Sequence, residues 1–237
     1  MIKENLDMVR ASIPQGVTLV AVSKFHPTEA LREAYDAGQR IFGESRENEL
    51  RDKVATLPAD IEWHFIGHLQ TNKVKYIAPF ISLIHSIDTE RLLDEVERQA
   101  IRFANERELR FGIGNAQIPV LLQLHVAQEE TKAGFTPDEL LQLLSHNDIV
   151  QRWPHLRLRG VMGMASFVAD SEQWRREFRQ ITACHRALIE GPLAQQGITA
   201  EQFSIVSMGM SEDYPVAIAE GSNMVRVGTA IFGARQY

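Results

Sequence analysis

The sequence contains a single cysteine, Cys184, among 237 residues. One cysteine excludes an internal disulfide and fits a reducing compartment, and its helical surroundings predict a buried structural thiol rather than a nucleophile. No apolar run approaches the roughly 20 residues that span a bilayer, and residues 1–7 lack the apolar core of a secretory signal. These absences predict a cytoplasmic protein with no membrane partner.

Positive charge is also scarce, because 25 Lys and Arg residues stand against 31 Asp and Glu and leave a net charge of -6. This balance argues against nucleic acid or an anionic membrane as the main partner. Hydrophobic residues make up 44% of the chain and charged residues 24%, which is ordinary for a globular protein with a sizeable core. No linker-like stretch or internal repeat interrupts the sequence, so we expect residues 1–237 to form one domain.

Two common ligand signatures are missing. No Gly-x-Gly-x-x-Gly turn follows the first apolar run, which weighs against a dinucleotide-binding sheet. His64 and His68 are four residues apart, but a strand and its following loop do not place both on one face, and no third ligand is in register. We therefore expect no metal site.

What the chain does contain is a regular alternation of short apolar runs and amphipathic stretches. The strand-like runs are Val17–Ser23, Arg40–Gly43, Trp63–Gly67, Leu83–Ile87, Pro119–Val126, Leu158–Met164, Phe203–Met208 and Met224–Phe232. The helix-like stretches are Thr28–Ala37, Arg46–Ala55, Thr89–Glu108, Thr136–Leu144 and Ser171–Gln196. Alternation implies parallel pairing through crossovers, and eight units predict an α/β fold of the single (β/α)8 TIM-barrel type. An open doubly wound sheet is the alternative.

The two ends of the chain bear on the outer ring of such a barrel. The eighth run, Met224–Phe232, ends close to Tyr237 and leaves no room for a helix after it. A barrel built this way lacks one helix of its ring. The first stretch, Ile2–Ser12, has Leu6 and Val9 at helical spacing, so we expect this N-terminal helix to pack into the gap and complete the ring.

Lys24 stands at the carboxyl end of the first strand-like run, where barrel active sites are built. A lysine ammonium there either reaches solvent or sits in a walled pocket, where loss of water lowers its pKa and makes the neutral amine available. A neutral amine can form a Schiff base with an aldehyde. The alternative is a lysine that marks the strand end and extends into water, and this stretch alone leaves both open.

The seventh and eighth runs lead into loops with the chemistry of an anion site, at the two positions where barrels often bind phosphate. Ser207-Met208-Gly209-Met210-Ser211 places hydroxyls and small-residue amides before a short helix. Gly228 would let a ligand approach the backbone, and Thr229 can donate a hydroxyl. Each pattern alone is common in turns that bind no ligand. The two together predict a phosphate site.

In a closed barrel the first strand neighbours the eighth, so Lys24 and the phosphate loops converge on one rim. A ligand with both an aldehyde and a phosphate would join them, and pyridoxal 5'-phosphate has both groups. Arg226 lies two residues before Gly228 and shares its face. A guanidinium stays protonated and would leave the pyridine nitrogen unprotonated. The alternative for Arg226 is an ion pair inside the barrel with Glu44.

Five motifs of the chain are distinctive: Ala21–Lys24, Ile41–Glu44, Trp63–Lys73, Ser207–Ser211 and Gly221–Gly233. Together they resemble the pyridoxal phosphate homeostasis protein family, and the resemblance covers nearly the whole chain. Members of this family look like the barrel domain of alanine racemase standing alone, a pyridoxal-phosphate-dependent fold of type III. The third and fifth motifs are the most specific.

The resemblance implies a cofactor, pyridoxal 5'-phosphate, bound as a Schiff base to Lys24 with Arg226 opposite its pyridine nitrogen. The other implied binding residues surround the phosphate or the ring: Ser207, Met208, Gly209, Gly228 and Thr229. Two positions depart from the usual pattern, since Ser45 and His125 stand where the family usually has asparagine. Both would point toward the cofactor, and we count the Ser45 hydroxyl among the binding residues.

The leading hypothesis is a monomeric protein of pyridoxal phosphate (vitamin B6) homeostasis, which holds the cofactor without turnover and buffers it or passes it to apo-enzymes. An amino acid racemase is the alternative, but racemisation needs a second base across the ring. None of the four tyrosines has an obvious claim to that role: Tyr35, Tyr76, Tyr214 and Tyr237. A third hypothesis, a sugar-phosphate isomerase or aldolase, would use Lys24 on a phosphorylated carbonyl substrate.

Overall fold

A computed structural model describes residues 1–127 and 133–234 of the chain. Its eight strands are parallel and close into a barrel in sequence order, with β8 pairing back to β1. The strands are β1 Thr18–Val22, β2 Ile41–Glu44, β3 Glu62–Phe65, β4 Leu83–Ile87, β5 Ile118–Gln123, β6 Leu156–Met162, β7 Ile205–Ser207 and β8 Met224–Val227. This closure confirms the predicted (β/α)8 barrel, and the open doubly wound alternative is wrong.

The described α-helices surround these strands. They are α1 Ile2–Ser12, α2 Thr28–Asp36, α3 Glu47–Thr56, α4 Val74–Ile77, α5 Glu90–Arg102, α6 Ala104–Phe111, α7 Pro137–His146, α8 Ile149–Arg152, α9 Ser171–Leu188, α10 Tyr214–Ala219 and α11 Thr229–Phe232. The stretch Thr89–Glu108, expected as one helix, is two, because the backbone leaves helical geometry at Phe103. No helix within residues 1–127 and 133–234 is long and apolar enough to cross a membrane.

The N-terminal helix α1 has the bounds that its periodicity predicts. It packs beside α2 and α11 and buries Leu6 and Val9. Asn5 Nδ2 donates a hydrogen bond to the carbonyl oxygen of Ile231, 3.0 Å away, near the other end of the chain. Helix α1 therefore fills the ring between the first and last units of the barrel, as predicted.

The eighth strand is shorter than its apolar run. The prediction of a strand over Met224–Phe232 with no helix after it is wrong beyond Val227, because the last four of these residues form α11. The carbonyl of Gly228 accepts two amides of that helical turn, at 2.8 and 2.9 Å. A short apolar run suits a strand and a buried helical turn equally well, so periodicity did not separate them. The turn leaves Thr229 at the barrel rim.

The inside of the barrel holds two layers of side chains. The lower layer is apolar and consists of Val20, Leu83, Leu121, Met162 and Met224. Polar side chains follow two residues further along the strands, on the same inner face: His85 comes after Leu83, and Arg226 comes after Met224. The larger apolar core lies outside the barrel, between strands and helices. His85 and Arg226 thus lie nearer the carboxyl ends of their strands than the apolar layer does.

Candidate cofactor site

A cavity of about 370 Å³ opens at the carboxyl ends of the strands. Its volume lies in the roughly 300–1,000 Å³ range of small-molecule sites. Four residues that sequence patterns assign to a cofactor site line it: Lys24, Arg226, Gly228 and Thr229. They belong to the first and eighth strands or to the segments just after them, and those strands are neighbours because the barrel closes. The structure therefore brings these four residues together on one rim.

Lys24 lies two residues beyond the end of β1 and is half-buried. Val22 also lines the cavity, so alternation along the strand directs both side chains to the inner face. The Ser23 amide donates to the carbonyl of Gly43 at 3.0 Å, which extends the pairing of β1 with β2 up to the residue before Lys24. Phe25 then adopts a left-handed conformation, with φ of 67°, and turns the chain away.

A second lysine holds the backbone behind Lys24, on the outer face of the barrel wall. Lys53 of α3 is 4% exposed, and its Nζ donates to the carbonyl of Ser23 at 2.8 Å and to Glu44 Oε1 at 2.7 Å. Ser23 Oγ donates to the same carboxylate oxygen at 2.6 Å. These contacts fix the residue immediately before Lys24.

Glu49 fixes the residue immediately after Lys24. Its Oε1 accepts hydrogen bonds from Lys53 Nζ at 2.6 Å and from the amide of Phe25 at 2.7 Å. A non-glycine residue at positive φ costs on the order of 1–3 kcal/mol and persists where its surroundings hold it. We call the four side chains of Ser23, Glu44, Glu49 and Lys53 the Lys53 network. This network holds the backbone on both sides of Lys24.

Glu44 is fully buried, and burial raises its pKa to about 7 against the opposing effect of Lys53. Its Oε2 is buried without a hydrogen-bond partner among the described residues. The alternative considered for Arg226, an ion pair with Glu44, is wrong. Glu44 faces α3 outside the barrel, where it pairs with Lys53, whereas Arg226 faces the barrel interior.

Arg226 of β8 is 4% exposed and forms part of the cavity floor. Its Nη1 donates to the carbonyl and hydroxyl oxygens of Ser207 at 2.9 and 2.7 Å, and its Nη2 donates to the carbonyl of Gly163 at 3.1 Å. Burial lowers the pKa of Arg226 to about 10, with Asp213 opposing the shift, so the guanidinium stays charged at neutral pH. Three of its five N–H groups serve these bonds. The others can face a ligand in the cavity.

Ser211, Gly228 and Thr229 form one edge of the cavity. Ser211 Oγ accepts the amides of Gly228 at 3.2 Å and Ala230 at 3.5 Å, which occupies both lone pairs and leaves its hydrogen to donate. Thr229 adds an exposed hydroxyl. A Cβ at Gly228 would stand 3.0 Å from the carbonyl oxygen of Val22 and crowd the first strand. Two hydroxyl donors at one edge suit an anion such as phosphate.

Three residues at the end of β7 and just after it do not line the cavity, although the family resemblance assigns them to a cofactor site. Ser207 and Met208 are fully buried, and Gly209 packs against α10, where a Cβ would come within 2.7 Å of a side-chain carbon. Ser211, which belongs to the predicted phosphate segment but was not counted among the binding residues, lines the cavity instead. The point where the strand ends could have indicated Ser211. Strand β7 stops at Ser207, and the barrel rim lies several residues further along the chain.

Ser45 and His125, the two departures from the family pattern, are also absent from the described cavity lining. The backbone of Ser45 lies against Gly67, where a Cβ would stand 2.4 Å from the Ser45 carbonyl oxygen. The amide of His125 donates to the carbonyl of Phe135 at 2.8 Å. That Ser45 binds a cofactor stays a prediction.

None of the three described tyrosines lines the cavity to offer a second base. Tyr35 and Tyr214 make hydrogen bonds elsewhere on the molecule, the first to Asp60 and the second with Ser12. Tyr76 lies beside lysine side chains of its own segment. Tyr237 is outside the described residues.

Comparison with known proteins identifies the class to which this barrel belongs. The family model described as alanine racemase, N-terminal domain, matches residues 1–236, and the chain belongs to this family. The crystal structure of alanine racemase from E. faecalis matches with a TM-score of 0.71 at 19% identity, and the match covers 98% of this chain and 57% of that chain. At this identity the likeness shows the fold alone.

The more similar relatives share one name. The pyridoxal phosphate homeostasis protein of Schizosaccharomyces pombe is 40% identical over 239 residues, which cover 97% of this chain and 91% of the relative. The protein of that name in Escherichia coli is 37% identical over 234 residues, which cover 94% and 88%. PipY of Synechococcus elongatus with PLP bound matches with a TM-score of 0.81 at 32% identity, covering 98% of this chain and 100% of that chain. The resemblance to the homeostasis protein family is confirmed.

Glu44 should make the stability of the fold depend on pH. Burial raises its pKa from 4.5 to about 7, so the folded state binds this proton more tightly than the unfolded state. The resulting stabilisation is fully present below pH 4.5 and is lost as the pH rises to 7. Relative to Glu44→Gln, the free energy of unfolding should fall by about 3 kcal/mol across this range. Urea unfolding of the unmodified chain and of Glu44→Gln measures this change. A difference in unfolding free energy between the two proteins that does not vary with pH would contradict the prediction.

Proposed function

We propose that this chain binds pyridoxal 5'-phosphate in the cavity, holds its aldehyde as a Schiff base on Lys24, and serves cofactor homeostasis by storing it and passing it to apo-enzymes. One observation carries the proposal: an amine, a guanidinium and two hydroxyls converge on one cavity, from Lys24, Arg226, Ser211 and Thr229. When bound, the cofactor supplies an electrophilic carbonyl and a ring that can accept electron density. The name of the relatives and the PLP of the PipY structure support the proposal.

The donor set fits the functional groups of this cofactor. Lys24 supplies the amine that an aldehyde requires. Ser211 and Thr229 supply hydroxyl hydrogens to a phosphate. The loop that carries Ser211 is held in place, because Asp213 Oδ1 accepts the amide of Met210 at 2.5 Å. A positioned loop keeps the hydroxyls aimed at the anion before it binds.

Arg226 governs what the site does with the cofactor ring. A guanidinium has donors and no acceptor, so it can hydrogen-bond only to the lone pair of the ring nitrogen. With a pKa of about 10, Arg226 keeps its proton at neutral pH. A ring nitrogen that keeps its lone pair draws electron density weakly. This favours a site that holds the cofactor over one that turns substrates over.

A racemase-like enzyme is the second candidate, and one observation favours it. His26 lines the cavity two residues after Lys24 and is the one imidazole of the described lining. An imidazole can move protons near neutral pH. The His26 ring, however, stacks on Phe232 of α11 with 5.0 Å between ring centroids. Racemisation also requires a second base on the far side of the ring, and no described tyrosine lines the cavity to provide it.

Lys24→Ala should abolish the covalent link to the cofactor while leaving the fold intact. Borohydride reduction of the loaded protein, followed by peptide mass spectrometry, should show an adduct on the Lys24 peptide of the unmodified chain and none in the variant. A loaded protein should also absorb beyond the aromatic bands, which a sugar-phosphate enzyme would not. Lys73→Ala is the matched control, because Lys73 pairs with Glu47 away from the cavity, and its adduct should be undiminished. A full adduct in Lys24→Ala, located at Lys73 or Lys75, would overturn the assignment.

Thr229→Val should weaken the phosphate end of the site alone. Removing a hydrogen bond to a charged group costs roughly 1.5–3 kcal/mol, or about ten- to a hundredfold in affinity. Equilibrium titration should therefore show this loss for pyridoxal 5'-phosphate, whereas pyridoxal, which lacks the phosphate, should bind both proteins alike. An equal loss for both ligands would mean that Thr229 supports the barrel and does not contact the anion.

A further inference from the structure

Four buried polar side chains form an unbroken line across the barrel interior beneath the cavity: Arg226, Ser207, His85 and His64. Arg226 Nη1 lies 2.7 Å from Ser207 Oγ, Ser207 Oγ lies 3.0 Å from His85 Nδ1, and His85 Nε2 lies 3.0 Å from His64 Nδ1. None of the four is more than 4% exposed. They come from β8, β7, β4 and β3 respectively, so the line spans the barrel rather than following one strand.

The direction of these hydrogen bonds follows from the chemistry of the first member. Arg226 has no acceptor, so it must donate to Ser207 Oγ. The Ser207 hydroxyl has one hydrogen of its own, and His85 Nδ1 is the side-chain acceptor within reach. His85 Nδ1 therefore accepts, its proton lies on Nε2, and Nε2 donates to His64 Nδ1. The reverse direction would leave the hydroxyl hydrogen of Ser207 buried without this acceptor, which costs its full desolvation.

The electrostatic setting agrees with two neutral imidazoles. Burial lowers the pKa of His64 to about 3. Burial, with repulsion from His64 and Arg226, lowers the pKa of His85 well below its usual value. A charged His85 would donate from both nitrogens and would leave the hydroxyl hydrogen of Ser207 without His85 Nδ1 as its acceptor. The one direction that satisfies every member thus requires both histidines neutral, each with its proton on Nε2.

We propose that Ser207, His85 and His64 are positioning residues for Arg226, forming a hydrogen-bond relay of fixed direction that sets the plane of the guanidinium at the cavity floor. A serine hydroxyl rotates freely unless a partner fixes it, and His85 fixes it by accepting its hydrogen. The lone pairs of Ser207 Oγ are then aimed at Arg226. The carbonyls of Ser207 and Gly163 hold the guanidinium at two further points.

The consequence for the cofactor rests on the proposed function. A guanidinium held at three N–H groups presents the remaining ones in a single orientation, which a ring nitrogen in the cavity would meet. Ser207 then acts on the ring through Arg226 rather than on the phosphate, which agrees with its burial and its absence from the described cavity lining. The relay itself is a property of the chain alone and can be tested without cofactor.

The first test uses the chain without cofactor, labelled with 15N-histidine. Two-bond 1H–15N correlation spectra from pH 5 to 8 should show His64 and His85 as neutral imidazoles with the proton on Nε2 throughout. Their signals are assigned through the changes that Ser207→Ala and His64→Phe produce. A proton on Nδ1 of His85, or a titration of either ring within this range, would overturn the relay.

The second measurement records the NMR signals of the Arg226 guanidinium directly, in 15N-arginine-labelled protein. The Nη protons of Arg226 should be resolved in the unmodified chain, because hydrogen bonds hold them, and should average or broaden in Ser207→Ala and His85→Phe. His68→Phe is the matched control, since the exposed His68 ring lies 3.1 Å from Asp88 and apart from the relay. If His85→Phe does not fold, Ser207→Ala removes less and gives the same readout. Unaltered Arg226 signals in the relay variants would overturn the positioning role.

Cofactor binding then separates this inference from the function on which part of it rests. His85→Phe, or Ser207→Ala in its place, should weaken pyridoxal 5'-phosphate and pyridoxal equally, by roughly tenfold, because the relay acts at the ring nitrogen and not at the phosphate. Unchanged affinities alongside disturbed Arg226 signals would overturn the role toward the cofactor. If the unmodified chain binds neither ligand, the proposed function fails. The histidine and arginine spectra still show whether the relay exists.

Discussion

The guanidinium of Arg226 is a charge inside a barrel, and much of the site follows from the need to satisfy it. Moving a charge out of water is costly unless it is hydrogen-bonded. Here the guanidinium donates hydrogen bonds to Ser207 and Gly163. A strand-end carbonyl, a hydroxyl and a loop carbonyl therefore surround one cation. The other side chains of this interior cluster, Ser207, His85 and His64, are buried too, and buried polar groups need hydrogen-bond partners. Two neutral histidines meet that requirement.

Lys24 stands where an outer and an inner set of buried polar contacts meet. Outside the barrel wall, the Lys53 network holds the backbone immediately before and after Lys24. Inside, Arg226 and its partners form the cavity floor. Sites supported by strands and a second layer of hydrogen bonds are more precise than sites carried on loops alone. The backbone on both sides of Lys24 and the guanidinium of Arg226 are both held in this way.

The number and order of strands could be predicted from the sequence, because strands buried on both faces appear as separate apolar runs. The same reasoning placed Lys24 and Gly228 on one rim, since closure makes their strands neighbours. The ends of the strands could be predicted less accurately. The run that begins at Met224 continues as helix, and the site hydroxyl after β7 is that of Ser211 rather than Ser207.

Which side chains from different strands form hydrogen bonds or ion pairs with one another could not be predicted at all. Ser207 and His85 are 122 residues apart in the chain, and no local pattern indicates that their strands meet at that level. An ion pair of Glu44 with Arg226 inside the barrel was one alternative, but strand alternation turns Glu44 outward to Lys53. In each case the partner is set by register and by which face a side chain takes, and a one-residue shift reverses the face.

Proton exchange at the α-carbon of amino acids tests most directly whether the site holds its cofactor or turns substrates over. The cofactor-loaded protein is incubated with L-alanine and L-serine in deuterium oxide, and proton NMR and chiral analysis follow the α-position. A protein that only holds the cofactor should show no sustained exchange and no loss of chirality. Sustained exchange on the order of 1 s⁻¹ or faster, lost in Lys24→Ala, would contradict a holding role and establish a racemase-like enzyme.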